Sequence, residues 1–90
     1  MENKDIEIII EKVKNIIVDV ADFELNVNDI QNGKDSIKNL GLNSLGIIRM
    51  LVGIEKEFDV EIDIEETDSD ILASVEQLSL HILNLKHDEK

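Results

Sequence analysis

Aliphatic side chains recur every three or four residues near the start of the chain, and this spacing restricts what the chain can fold into. It forms one apolar stripe along a helix, made of Ile6, Ile9, Ile10, Val13, Ile16, Ile17 and Val20. The pattern predicts a first helix over about residues 3 to 21. One amphipathic helix cannot bury its own stripe, so the rest of the chain must supply the other side of a core.

Two later segments return to helical spacing. The first begins after Asn43 and stops near Asp59, with one core face made of Ile47, Met50, Leu51, Ile54 and Phe58. The second begins at Ser74, where Gln77 three residues later completes a capping box, and continues through Val75, Leu78, Ile82 and Leu85. A short helix is predicted between them, within Glu65 to Ala73.

The remaining segments are predicted to be loops. Residues 22 to 43 form a long loop whose scattered aliphatic side chains attach it to the core, and loops of this length in a small domain are usually functional. Residues 59 to 64 alternate acids with aliphatics, but no second such run could pair with them as a strand. We therefore expect an extended loop that buries Val60, Ile62 and Ile64. The prediction is an all-α, four-helix bundle in a single domain over residues 1 to 90, with a long loop between helices 1 and 2 and a short third helix.

Composition excludes several classes of function. The chain has 90 residues, 21 acids, 9 bases and no cysteine, and its formal net charge is -12. A chain this short does not enclose a deep active site, and we found no catalytic motif, so we expect no enzyme activity. Two phenylalanines and strong negative charge rule out nucleic acid as a partner. No apolar run could span a membrane, and the acids among the first isoleucines do not fit a signal peptide, so we expect a cytoplasmic protein.

Negative charge is concentrated in one stretch. Residues 55 to 70 contain nine acids and one lysine, a net charge of -8. The simplest interpretation is a solvated face; weak divalent-cation binding and docking to a basic protein surface remain alternatives. The stretch does not match an EF-hand, which requires a glycine at its sixth position.

The second helix has a second apolar stripe beside its core face. Leu45, Ile48 and Val52 form this stripe, next to Arg49. Either the long loop covers it or it is a docking surface for another protein. Gly46 and Gly53 lie seven residues apart on one side of the same helix, where glycine costs roughly 0.5 to 1 kcal/mol relative to alanine. They are explained either by neutral drift or by close approach of a partner or of a prosthetic arm.

Ser44 is the one residue that could carry chemistry. A serine at this place can simply cap the second helix. A helix start also favours an attached anion, so the same hydroxyl is a suitable attachment point for a phosphodiester.

The segment Gly41-Leu42-Asn43-Ser44-Leu45, followed by residues 55 to 62 (EKEFDVEI), resembles the signature of acyl carrier proteins and related phosphopantetheine-dependent carrier domains. The resemblance extends over essentially the whole chain. It implies that Ser44 carries 4′-phosphopantetheine, transferred from coenzyme A by a Mg²⁺-dependent phosphopantetheinyl transferase. The terminal thiol would then hold acyl or aminoacyl groups as thioesters, as in fatty acid biosynthesis and related lipid metabolism. A short acyl chain could enter the core near Ile54, Ile62 and Ile71.

Two departures from the family pattern concern partners. The family usually has Asp before the serine, where this chain has Asn43, and acids are common where this chain has Gly46 and Arg49. The departures favour a specialised lipid, polyketide, peptide or D-alanyl pathway. The predicted partners are acyl-loading and acyl-processing enzymes with basic docking patches, which meet a monomeric carrier at Asn43, Leu45, Ile48, Arg49, Val52, Glu55, Glu57, Asp59 and Glu61. The alternative is an acidic helical interaction module in which Ser44 stays unmodified.

Overall fold

Helices are the only regular elements in the part of the chain that the structure describes. The computed structural model describes residues 2–88, with side chains over residues 5–86. Its α-helices are α1 (Glu2–Val20), α2 (Ser44–Phe58), α3 (Ser69–Ala73) and α4 (Val75–Asp88). This confirms the predicted all-α fold, its long loop between α1 and α2, and its short third helix.

The core consists of aliphatic side chains from three helices. α1 contributes Ile9, Val13 and Ile17; α2 contributes Met50, Leu51, Ile54 and Phe58; α4 contributes Val75, Leu78 and Ile82. Burying one such side chain stabilises the fold by about 1.5 to 3 kcal/mol, so this cluster supplies the main force that holds α2 in place. The predicted core face of α2 is confirmed, with Ile47 partly buried at its edge.

The long loop between α1 and α2 is attached to the end of α3 and to the start of α4. It contains two short 3-10 turns, Val27–Asp29 and Lys38–Leu40, and it buries Ile30 and Ile37. The Ile37 N–H donates to the Ala73 carbonyl oxygen at 2.7 Å. The loop is therefore ordered by the core and by α4, and it delivers the chain to α2 in a fixed position.

The segment after α2 is extended, as predicted, and it buries Val60 and Ile62. The prediction that Ile64 is also buried is wrong, because its side chain is 47% exposed. A 3-10 turn, Ile64–Glu66, begins at this residue and ends the alternation that had placed Ile64 on the buried side.

The two glycines of α2 have different surroundings: Gly53 faces α1, and Gly46 lies against Leu42 and Asn43 just before α2. A Cβ atom on Gly53 would lie 3.0 Å from Cγ2 of Ile16, so glycine lets α1 approach α2 closely. Gly46 is buried, and a Cβ there would lie 3.3 Å from Oδ1 of Asn43. At Gly53 the structure adds a contact with α1 that the sequence did not reveal, and the two explanations suggested by the sequence stay untested.

Candidate functional site

The loop meets α2 at Asn43, and this residue caps the helix. Asn43 has extended backbone angles (φ -79°, ψ 178°), and its side-chain oxygen accepts a hydrogen bond from the Gly46 N–H at 2.7 Å. Ser44 is the first residue inside the helix. The interpretation of Ser44 as the capping residue is therefore wrong, because the neighbouring asparagine takes that role.

Capping by Asn43 leaves the Ser44 side chain available. Ser44 is exposed, and its hydroxyl has no hydrogen-bond partner among the described residues. The N–H groups of Ser44 and Leu45 are likewise without partners in that part of the chain, as expected in the first turn of a helix. An anion attached to the Ser44 oxygen would meet the positive end of the helix dipole with unused N–H donors beside it.

The apolar stripe next to Ser44 is exposed. The exposed fractions are 54% for Leu45, 47% for Ile48 and 44% for Val52. The alternative in which the long loop covers this stripe is wrong, because the loop packs against α3 and the start of α4 instead. The exposed helix face thus begins at the residue that follows Ser44.

The acids predicted for docking fall into two groups. Glu55 is half-buried, and its carboxylate accepts the Ile62 N–H at 2.8 Å. The Glu57 carboxylate lies 3.0 Å from Lys12 Nζ in an ion pair between α2 and α1. Asp59, at the end of α2 with φ 57°, and Glu61 are exposed. Glu55 and Glu57 therefore have contacts within the fold, and a docking role for any of the four stays a prediction.

A shallow groove lies between the long loop, α2 and α3. Its volume is about 350 Å³, and its apolar lining includes Ile37, Leu42, Ile47 and Leu72. The residues predicted to surround an acyl chain, Ile54, Ile62 and Ile71, do not line this groove. Ile54 and Ile62 belong to the buried core, so sequestration there stays a prediction.

The described residues contain neither a metal-binding cluster nor a membrane-spanning helix. No group of three or more His, Asp or Glu side chains within them is placed to hold a metal ion. None of the helices described is long and apolar enough to cross a membrane.

Comparison with known proteins assigns this chain to a family. The family model described as a phosphopantetheine attachment site matches residues 11–82, most of the chain. The acyl carrier protein of Clostridium acetobutylicum is 35% identical over 60 residues, which cover 67% of this chain and 75% of that protein. No solved structure matches significantly.

The chain belongs to the phosphopantetheine-dependent carrier family. The cofactor of this family is covalently attached 4′-phosphopantetheine, and a carrier of this class interacts with a phosphopantetheinyl transferase and with acyl-processing enzymes. The start of α2 fits the group, because the exposed Ser44 hydroxyl has unused backbone donors beside it.

The sequence singled out Ser44 as a candidate, but it did not show the contacts that leave its side chain exposed. Asn43 is polar and suited to capping, so its identity was a usable signal that the cap lies one residue earlier. The attachment of the long loop to α4 through Ser36 and Asn32 left no comparable signal, because those hydrogen bonds join residues about 40 positions apart.

Proposed function

We propose that Ser44 is the residue that carries 4′-phosphopantetheine. The observation that supports it is that Ser44 lies exposed at the first position of α2 while Asn43 provides the cap. The hydroxyl can then be esterified without removing a contact that holds the helix together.

The transfer reaction needs no catalytic group on this chain. The Ser44 oxygen forms a bond to phosphorus in the pyrophosphate of coenzyme A, and the phosphorus–oxygen bond to the nucleotide breaks. 3′,5′-ADP leaves, and the serine proton passes to a base of the Mg²⁺-dependent transferase. The attached group supplies the thiol that this cysteine-free chain lacks.

The carrier then holds acyl or aminoacyl groups as thioesters and presents them to partner enzymes. We place it, as a single non-catalytic domain over residues 1 to 90 and as a monomer in the cytoplasm, in a specialised lipid, polyketide or peptide pathway. The departures at Asn43 and Arg49 support a pathway outside ordinary fatty acid synthesis. Exposed Asp59 and Glu61 are the acids best placed for basic residues of a partner.

Intact-mass measurement tests the proposal. The protein is incubated with coenzyme A, Mg²⁺ and a broad-range phosphopantetheinyl transferase, and we expect one phosphopantetheine group per chain. Ser44→Ala should abolish the addition. Ser69→Ala is the matched control, because Ser69 is also an exposed serine at the first position of a helix, and this variant should be modified fully.

Failure of the modification would favour the second candidate function, an unmodified interaction module. If several transferases add nothing to the folded wild-type protein, the chain acts as an unmodified acidic interaction module. Addition to Ser44→Ala would instead place the group on another residue and overturn the assignment of Ser44.

A further inference from the structure

The exposed face of α2 has no unengaged carboxylate for a partner that binds acidic side chains. Among the residues of α2 the acids are Glu55 and Glu57, and both carboxylates are engaged within the fold, with the Ile62 N–H and with Lys12. No acid occupies the first turn. The face beside Ser44 therefore offers a partner no unengaged carboxylate from the helix itself.

Two cations occupy that face instead. Arg49 and Lys56 are exposed and lie seven residues apart, so they are two turns apart on the same side of the helix, next to Leu45 and Val52. The ion pair found among the described residues involves neither of them. Asp22 lines the same small cleft as Arg49, but it forms no ion pair with it.

Arg49 and Lys56 differ in what the helix offers them. Lys56 lies in the last turn of α2, where a cation is favourable for the helix dipole. Arg49 lies in the middle of the helix, where the dipole gives it no such role. Arg49 is exposed next to the aliphatic side chains of this stripe and forms no ion pair with the described residues, so it is free to meet a carboxylate outside the chain.

We propose that the apolar stripe of α2, together with Arg49 and Lys56, docks into an apolar depression bordered by carboxylates on an acyl-processing enzyme. This inference rests on the proposed carrier function. At the face of α2 beside Ser44 it replaces the basic docking patch implied by the family resemblance with an acidic one, whereas the exposed acids Asp59 and Glu61 lie past the end of the helix. Leu45, Ile48 and Val52 enter the depression, and the partner carboxylates face the two cations. Because the chain as a whole is strongly negative, long-range attraction would not favour an acidic partner, and screening limits that effect to about 8 Å at physiological ionic strength. Local pairing at Arg49 and Lys56 therefore sets the register of the complex.

Photo-crosslinking in the source cells tests this chemistry. Ile48 is replaced by p-benzoylphenylalanine, the full chain is expressed, and the crosslinked peptides of its partner are identified by mass spectrometry. We expect peptides of an acyl-processing enzyme that combine apolar residues with Asp or Glu. Adding Arg49→Glu or Lys56→Glu should lower the crosslink yield about tenfold, the effect expected for losing a close charged pair.

Lys34→Glu is the matched control. Lys34 is exposed on the long loop, and its reversal changes the net charge by the same amount as the other two variants. Its yield should equal that of the parent protein, and circular dichroism should show the same helix content in all three variants. Replacing the crosslinked enzyme's acidic residue with lysine should restore the yield with Arg49→Glu.

Several outcomes would overturn the inference. These are crosslinks to a Lys- and Arg-rich surface, crosslinks to the transferase alone or to a second copy of this chain, a yield that Arg49→Glu leaves unchanged or raises, and no crosslink at all. The intact mass of the carrier purified from the same cells distinguishes a failure of the docking proposal from a failure of the proposed carrier function. A phosphopantetheinylated carrier with any of these outcomes overturns only the docking chemistry, whereas an unmodified carrier overturns the proposed function as well.

Discussion

The starts of α2 and α4 both have a serine at or beside the cap, yet the two serines are used in opposite ways. At α4 the first three N–H groups all have acceptors: Ser36 Oγ for Val75, the Asn32 carbonyl for Glu76, and Ser74 Oγ for Gln77. At α2 a single side chain, Asn43, accepts one N–H, and Ser44 remains exposed. The helix start that is closed by contacts holds the fold together, and the one that is left open is available for modification.

The largest effect on stability is expected from Ser36. Ser36→Ala removes the acceptor of the Val75 N–H, a buried hydrogen bond of 2.9 Å, and leaves that N–H without a partner. We expect the free energy of unfolding to fall by about 1 to 3 kcal/mol in urea denaturation followed by circular dichroism. Ser69→Ala is the control and should change it by less than about 0.5 kcal/mol. Equal stability of the two variants would contradict a stabilising role for the hydrogen bond between Ser36 and the Val75 N–H at the start of α4.

Ser74 should have the next largest effect. Ser74→Ala removes the acceptor of the Gln77 N–H, which lies 3.2 Å away, and should cost about 1 kcal/mol in the same assay. Gln77→Ala keeps the backbone N–H and its acceptor, so it should change stability by less than about 0.5 kcal/mol. A larger loss from Gln77 than from Ser74 would show that the cap depends on the glutamine side chain instead.

Asn43 should contribute to the free energy of unfolding about as much as a typical N-cap residue does in other proteins. Asn43→Ala is expected to lower the free energy of unfolding by about 0.5 to 1 kcal/mol. Asn43→Asp keeps the accepting oxygen and places a negative charge at the helix start, so it should retain or slightly raise the wild-type value. A neutral Asn43→Ala would contradict the capping role.

Of these residues, Ser44 should contribute least to the free energy of unfolding. Its hydroxyl has no hydrogen-bond partner among the described residues, and alanine favours helix more than serine does. Ser44→Ala should therefore leave thermal and urea unfolding within about 0.5 kcal/mol of wild type. A loss near 1 kcal/mol would mean that Ser44, and not Asn43, caps α2.

Local patterns in the sequence predicted the elements that depend on local spacing. The aliphatic repeats located α1, α2 and α4, and the pair Ser74 and Gln77 located the start of α4, because helix periodicity and capping act over a few residues. Ile64 was misplaced because alternation alone does not reveal where a 3-10 turn interrupts it. The close approach of Gly53 to Ile16 could not be predicted from local spacing, because Ile16 lies on another helix.

The sequence singled out Ser44 as the candidate attachment residue, but it did not show the contacts around it. The motif around Ser44 made it the candidate attachment serine, whereas the capping of α2 by Asn43 instead of Ser44 depends on backbone angles at one junction. The engagement of Glu55 and Glu57 could not be read from their spacing, since their partners are a backbone N–H after the helix and a lysine of α1. Only these contacts show that neither carboxylate of α2 is unengaged.

Locating the modified residue in the wild-type chain tests the central claim most directly. After incubation with coenzyme A, Mg²⁺ and transferase, the intact protein is fragmented in the mass spectrometer and the position of the phosphopantetheine group is determined. The predicted result is one group, on Ser44. A group on Ser36, Ser69, Ser74 or Ser79, or a folded protein that accepts none, would contradict it.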